Sequence, residues 1–204
     1  MMGMFNFIAL IVATFLASSP HQRFGLSQPM PRLDGTIRVA SYNVLNFFDQ
    51  TDDPSLQGEY DDFGDNPGPT SNERCQVLAD AIRAVDADVL ALQEVESEEA
   101  LRWFRDNYLA DMGYDYIVSK DVGYYRGVEQ SLMSRFPISD VKTWTNANLD
   151  RVKRVGGGWD EVPAGTKNIR FQRSPLCVTV KPADDYEMTL FVMHHKSGRS
   201  RWHR

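Results

Sequence analysis

The chain contains little cysteine: only Cys75 and Cys177 occur among its 204 residues. They lie far apart, and neither a Cys-x-x-Cys pair nor a cluster of cysteine and histidine accompanies them. This excludes a disulfide-rich scaffold and a structural zinc site. Isolated cysteines are commonly small, buried hydrophobic residues, and we expect that here, although in an exported protein the two thiols can instead pair.

The sequence also lacks an apolar run long enough to cross a bilayer. The longest, Phe5 to Ala17, spans 13 residues, whereas a transmembrane helix needs about 20. Its position before Ser18-Ser19-Pro20 is typical of a secretory signal peptide. We therefore predict a signal peptide at 1–19, a linker at 20–35, a secreted or periplasmic location and no stable membrane insertion. A short membrane anchor and an apolar first strand or helix are the alternatives.

An overall excess of positive charge is absent as well. The formal net charge is −6, which argues against a protein that binds nucleic acid indiscriminately. The distribution is uneven, however: residues 34–66 hold eight acidic residues and one basic residue, whereas residues 120–173 hold ten basic and six acidic residues. One face of the protein can therefore still hold a polyanionic substrate.

Hydrophobic periodicity predicts a mixture of strands and helices. Thr36 to Asn43 is predicted to be a strand that continues to Phe48. A capping box at Thr70-Ser71-Asn72-Glu73 predicts the start of a helix that ends near Asp86. An apolar strand is predicted to follow from Asp88 to Gln93. A second helix is predicted from Ser97 to Met112. Further strands are predicted at Tyr114–Ser119, Val128–Ser134, Val141–Thr145, Arg170–Val180 and Met188–His194. This order indicates an α/β sandwich built on a pair of sheets.

Two segments show no periodicity. Asp49 to Pro69 is acidic, but its spacing does not match an EF-hand, so we expect a solvated surface loop rather than a calcium site. Asn146 to Lys167 contains Gly156-Gly157-Gly158 without the Lys-Ser/Thr of a P-loop, and we expect a flexible loop there.

Three polar residues lie near the carboxyl ends of predicted strands, where α/β sheets commonly place their ligands: Asn43, Glu94 and His194. Singly, each is an ordinary turn residue or strand-terminal residue. Together they predict a site.

Four segments that contain these residues resemble, in order and spacing, successive motifs of the endonuclease/exonuclease/phosphatase superfamily, and most closely its secreted bacterial nuclease-like members. They are Ser-Tyr-Asn-Val-Leu-Asn-Phe-Phe-Asp from Ser41, Asp-Val-Leu-Ala-Leu-Gln-Glu-Val from Asp88, Ser-Leu-Met-Ser-Arg-Phe-Pro-Ile from Ser131, and Phe-Val-Met-His-His-Lys-Ser from Phe191.

The resemblance implies the N-terminal part of a four-layered α/β sandwich, with two packed mixed β-sheets flanked by helices. It also implies a hydrolase that cleaves phosphodiester or phosphomonoester bonds with Mg²⁺, or in some relatives Mn²⁺ or Ca²⁺. Glu94 matches the metal-binding carboxylate of the family. Asn43 matches a residue that orients the metal or the scissile phosphate. His194 matches a histidine that hydrogen-bonds the phosphate or acts as an acid.

Basic residues at Arg126, Arg173 and Lys196 match positions that line the cleft of relatives and imply phosphate contacts, although each can equally be a solvated or structural cation. Nucleic acid is the first expected substrate, with phospholipid or inositol phosphate as the alternatives. The full-length protein is expected to be a monomer.

Two later motifs of the family are missing from the sequence: a Gly-Asp-x-Asn segment that supplies an acid/base pair and an Asp-His pair that supplies the general base. We therefore expect residues 36–204 to be a C-terminally incomplete domain, an N-terminal fragment that is inactive alone. The alternative is a non-catalytic exported binding module on the same scaffold.

Overall fold

The computed structural model describes residues 28–51, 68–124, 126–145, 151–153, 159–161 and 170–195. The predicted signal peptide, the first part of the linker, most of the acidic loop, the triple glycine and Lys196 lie outside the described residues. Two β-sheets pack face to face, and helices cover the outer face of the first.

The first sheet has the strand order β1-β2-β4-β3. Its strands are β1 (Val39–Phe47), β2 (Val89–Val95), β3 (Tyr116–Ser119) and β4 (Glu129–Ser134). β1 runs parallel to β2, and β4 pairs antiparallel with both β2 and β3. Because β1 and β2 are parallel, their carboxyl ends meet at the same edge of the sheet.

The helices begin where the sequence places capping residues. α1 (Asn72–Val85) is capped by the Ser71 hydroxyl, which accepts the Arg74 N–H, and it ends at Asp86 in the left-handed conformation. α2 (Glu98–Tyr108) is capped by Ser97 in the same way. The predicted second helix was too long: the buried Leu109 interrupts it, and a separate 3₁₀ turn at Ala110–Met112 leads to β3. No helix in the described part of the chain has both the length and the apolar character to cross a membrane.

The second sheet is antiparallel and has the order β5-β8-β9, from β5 (Ile138–Thr143), β8 (Leu176–Ala183) and β9 (Tyr186–Val192). The strand predicted to start at Arg170 starts only at Leu176. Pro175 cannot donate to a sheet, and the Ser174 hydroxyl accepts the Trp144 N–H instead. Within the predicted loop, two short strands pair with each other, β6 (Arg151–Lys153) and β7 (Trp159–Glu161), so that prediction was wrong for these residues.

Alternation along β2 divides the core into two. Leu90 and Leu92 pack among the helices, whereas Val89 and Ala91 face the second sheet. Cys75 and Cys177 are both buried free thiols, as expected from their isolation in the sequence. The prediction of an α/β sandwich is confirmed, with one correction: the second sheet is antiparallel rather than mixed.

Within the described residues, each sheet ends in an edge strand on the same side. β1 and β9 are edge strands, and between them lies a groove of about 370 Å³ lined by residues that include Val39, Ser41, Gln93 and Met193. Val39, on the side of β1 that lines this groove, is 45% exposed within the part of the chain that the structure describes. The groove therefore opens beside the last residues of β2 and β9.

The amino end of β2 is held by a network of charged groups. Asp88 is buried and accepts hydrogen bonds from Arg32 at 2.7 Å, from Arg135 at 3.0 Å and from the Arg38 backbone N–H at 2.8 Å. Burial alone would raise the pKa of Asp88, but these donors together lower it. Asp88 therefore joins the segment before β1, the start of β2 and the turn after β4.

Replacing Asp88 with asparagine should destabilise the protein by about 2–3 kcal/mol at pH 7. The loss of one partner of a fully buried pair costs about 3–5 kcal/mol, and Arg32 is partly exposed. Chemical denaturation at pH 7 measures the difference. Because folding lowers the pKa of Asp88, its contribution to stability is fully present above the unfolded pKa. That contribution is lost as the pH falls from the unfolded pKa through the folded pKa.

Arg102→Ala is the control, because it removes an exposed i,i+4 pair with Glu98 and should cost less than about 0.5 kcal/mol. An Asp88→Asn variant as stable as the Arg102→Ala variant would show that the network does not support the sheet.

Candidate active site

Glu94 lies in a β-bulge at the carboxyl end of β2. Gln93 pairs with Gln130 and Val95 pairs with Glu129, so Glu94 is an extra residue with no partner on β4. Its φ of +68° lies in the left-handed region, which is uncommon for a residue with a side chain. Strain of this kind is often retained at functional sites.

The bulge determines where the side chains point. Leu92 and Val95 both pack in the core beside the helices, although they are three residues apart and strict alternation would place them on opposite faces. The extra residue absorbs the difference and leaves the Glu94 carboxylate at the rim between the two sheets. Its side chain is only 12% exposed.

His194 contacts this carboxylate from the other sheet. It lies two residues beyond the end of β9, and its Nε2 is 3.2 Å from Glu94 Oε1. The pair therefore connects the ends of β2 and β9 across the sandwich. Sequence alternation placed His194 within a strand; the structure places it just after one.

Arg173 is the third member of the cluster. Its Nη1 lies 2.7 Å from both ring nitrogens of His194, so the guanidinium group is in direct contact with the imidazole. Burial lowers the pKa of His194, and the charge of Arg173 lowers it further, while Glu94 acts in the opposite sense. The neutral imidazole is thus the favoured form beside the guanidinium group.

Tyr124 holds Arg173 in place and was missed by sequence reasoning. The Arg173 Nη2 donates to the phenol oxygen at 2.7 Å, and the guanidinium carbon lies 4.4 Å from the centre of the ring. Both a hydrogen bond and a cation–π contact therefore orient Arg173. The only sequence signal was proximity to Arg126, two residues along the chain.

Asn43 lies beside Gln93 in the pairing of β1 with β2, one residue before the level of Glu94. Its side-chain oxygen accepts the Leu45 N–H at 2.8 Å, and Leu45 and Asn46 both have a φ of +56°. Arg74 donates from α1 to the carbonyl oxygens of this turn. Asn43 is exposed and close in register, but its side-chain oxygen bonds to the Leu45 N–H rather than to Glu94 or His194.

Two further cations were predicted to line the site, Arg126 and Lys196. Arg126 lies in the turn before β4 and is near enough for its charge to lower the pKa of His194. Lys196 lies outside the described residues. The structure therefore brings together Glu94, His194 and Arg173, with Arg126 in their vicinity.

The Glu94 carboxylate has the chemistry of a metal ligand. Its Oε2 is buried and has no hydrogen-bond partner among the described residues, an arrangement that normally costs free energy. A divalent cation would satisfy that oxygen, so the residue fits a metal ligand. The described residues contain no group of three or more His, Cys, Asp or Glu residues arranged to hold a metal. A single carboxylate is nevertheless compatible with Mg²⁺, which commonly binds through one or two carboxylates and several waters.

A family comparison agrees with this geometry. The family model for the endonuclease/exonuclease/phosphatase family matches residues 40–194, a range that begins in β1 and ends at His194. The chain belongs to this family. Its members are hydrolases that act on phosphoester bonds and generally use divalent metal ions. No significant match was found to a curated protein or to a solved structure.

A second buried acid lies close to the site. Glu129, at the start of β4, is 2% exposed, and burial raises its pKa to about 8. The N–H of Val122 opposes this shift, and the nearby Asp121 carboxylate adds to it. Glu129 lies inside the strand predicted from Val128 to Ser134, and nothing in the sequence pattern there indicates a buried acid.

The free energy of unfolding should fall as the pH rises from about 5 to 8. The unfolded chain releases the Glu129 proton near its ordinary pKa of 4.5, whereas the folded protein retains it to about pH 8. The folded state therefore binds more protons across this window, and stability decreases as the pH rises. The Glu129→Gln variant should lose this component and show a flatter dependence when urea denaturation is compared at pH 5, 6.5 and 8.

Glu187→Gln removes the same charge from an exposed position on β9 and serves as the control. If Glu129→Gln and Glu187→Gln give the same pH dependence as the unmodified chain, Glu129 is not the group that titrates in this range.

Proposed function

We propose that this protein is a metal-dependent phosphodiesterase of the exported nuclease type, with nucleic acid as its substrate. The observation that carries the proposal is the buried, unpartnered Oε2 of Glu94 beside the His194–Arg173 pair. The Glu94 carboxylate can bind a cation, the Arg173 guanidinium group can bind a phosphate and the His194 imidazole can hold a proton. The three groups lie at the same rim. Family membership supports phosphoester chemistry, and the basic second half of the sequence supports a polyanionic substrate.

The metal would be held by Glu94, with Asn43 contributing from the neighbouring strand. A bound divalent cation, Mg²⁺ in our proposal, withdraws negative charge from phosphate oxygens and so favours attack at phosphorus. Mn²⁺ and Ca²⁺ are the other ions that we propose to test.

The remaining roles follow from the contacts of the chain itself. The Arg173 guanidinium group pairs with a phosphate oxygen in the orientation fixed by Tyr124, and Arg126 adds positive charge nearby. His194 holds or transfers a proton at the ring nitrogen that faces Glu94. Lys196, two residues beyond His194, is proposed as a further phosphate contact.

Replacing Glu94 with glutamine should remove the dependence of substrate binding on Mg²⁺. We expect Mg²⁺ to strengthen binding of a fluorescently labelled DNA oligonucleotide by about tenfold in the unmodified chain, a difference of about 1.4 kcal/mol. Fluorescence anisotropy, with and without Mg²⁺, measures this. Glu187→Gln is the matched control and should keep the full response. An equal response to Mg²⁺ in the Glu94→Gln variant would contradict the assignment of the metal ligand.

We further propose that a proton acceptor for the attacking water is not among these 204 residues. Cleavage of the same oligonucleotide by the isolated chain should therefore be negligible even with Mg²⁺, because the Gly-Asp-x-Asn and Asp-His motifs do not occur in the sequence. Gel analysis over several hours tests this. Robust Mg²⁺-dependent cleavage that Glu94→Gln abolishes would show that the chain carries a complete site.

The second candidate function is an exported binding module without catalysis. The observation that favours it is the lack, within the described residues, of a larger group of metal-binding side chains around Glu94. Reading the gene beyond codon 204 in all frames discriminates the two: the enzyme proposal requires both missing motifs there, and the module proposal does not.

Phospholipid and inositol phosphate remain alternative substrates within the same family. A panel of DNA, RNA, sphingomyelin and inositol phosphates, tested in competition with the labelled oligonucleotide, would rank them. Preferential displacement by a lipid head group would overturn the assignment to nucleic acid.

A further inference from the structure

Glu129 is a buried acid whose contacts lead to the turn between β3 and β4. Its Oε1 accepts the Val122 N–H at 3.2 Å, whereas its Oε2 has no hydrogen-bond partner in the described part of the chain. Burying a carboxyl group with incomplete hydrogen bonding is unfavourable. The position therefore needs a reason that hydrophobic packing alone does not give.

The turn that Glu129 holds is compact. Asp121 accepts the Gly123 N–H at 2.7 Å, and the Gly127 N–H donates to the Tyr124 carbonyl oxygen at 2.9 Å. Gly123 and Gly127 have φ values of +71° and +59°, which glycine adopts without strain. Tyr124 follows the first of these hydrogen bonds and accepts the second, so its position depends on the turn.

Tyr124 in turn determines where Arg173 points. Arg173 precedes β8 and lies outside the sheets, and its side chain contacts Tyr124 and His194. The Nη2 atom and the guanidinium carbon contact the phenol of Tyr124, and the Nη1 atom contacts the imidazole of His194. A shift of Tyr124 would therefore move the donors that face the rim.

We propose that Glu129 is a positioning residue that fixes Arg173 for anion binding through the 121–127 turn and Tyr124. The proposal rests on the proposed function, in which Arg173 contacts a phosphate oxygen. Glu129 itself does not reach the substrate. Its acceptor oxygen, rather than a negative charge, performs the task, so glutamine should replace it and alanine should not.

The first measurement is binding of the labelled DNA oligonucleotide in Mg²⁺. We expect Glu129→Ala to weaken binding about fivefold or more, the effect of about one hydrogen bond. Glu129→Gln should stay within about twofold of the unmodified chain, because it keeps the acceptor for the Val122 N–H. Ser134→Ala is the control: it removes a buried hydroxyl at the other end of β4 that accepts the Phe136 N–H, and it should leave affinity unchanged.

The double variant distinguishes positioning from a general loss of stability. If Glu129 acts through Tyr124, adding Glu129→Ala to Tyr124→Ala, which removes both the hydroxyl and the ring that contact Arg173, should weaken binding no further than Tyr124→Ala alone. Additive losses, or a Glu129→Gln variant as weak as Glu129→Ala, would overturn the proposal.

Hydrogen exchange provides a readout that needs no substrate. Glu129→Ala should increase amide exchange in both 121–127 and 170–174, Glu129→Gln in neither, and Ser134→Ala in neither segment selectively. Increased exchange confined to 121–127 would refute the link to Arg173. If the unmodified chain binds no phosphodiester, the proposed function fails, while these exchange patterns still decide the role of Glu129.

Discussion

The contact between Glu94 and His194 is the point at which the two sheets become a functional unit. Elsewhere the sheets meet through apolar side chains such as Val89, Leu132 and Val178, which pack without defining any chemistry. At the rim a polar group that follows β9 meets one from β2, with 3.2 Å between the Glu94 carboxylate and the His194 imidazole. The Arg173 guanidinium group then adds positive charge to the same position, so a carboxylate, an imidazole and a guanidinium group share a small, partly buried volume. The phosphoester chemistry that we propose for the protein depends on that convergence.

The elements of the fold could largely be predicted because each carries a local signal. The capping box at Ser71 and the spacing of Cys75, Leu78 and Ile82 fixed the start and the buried face of α1. Apolar runs located β2 and β4 within one or two residues. The errors came where tertiary contacts override local pattern: Leu109 inserts into the core and ends α2, and Ser174 with Pro175 delays β8.

The candidate site was less predictable than the fold. Glu94, His194 and Arg173 could be selected because they match family motifs, but their roles stay predictions until substrate and metal binding are measured. Tyr124 and Glu129 could not be selected. Their importance arises from a turn that brings an aromatic ring against a guanidinium group 49 residues away in sequence. Periodicity describes which face a residue lies on, and it contains no information about such a contact between loops.

The bulge at Glu94 separates the residue proposed for the chemistry from the residues that pair in the sheet. Gln93 and Val95 keep their pairing with Gln130 and Glu129, so Glu94 has no partner in the pairing of β2 with β4. The residue proposed to bind the metal is therefore the extra residue of a β-bulge, and it lies outside the alternation that places the neighbouring side chains in the core. Scaffold and chemistry are encoded by separable positions.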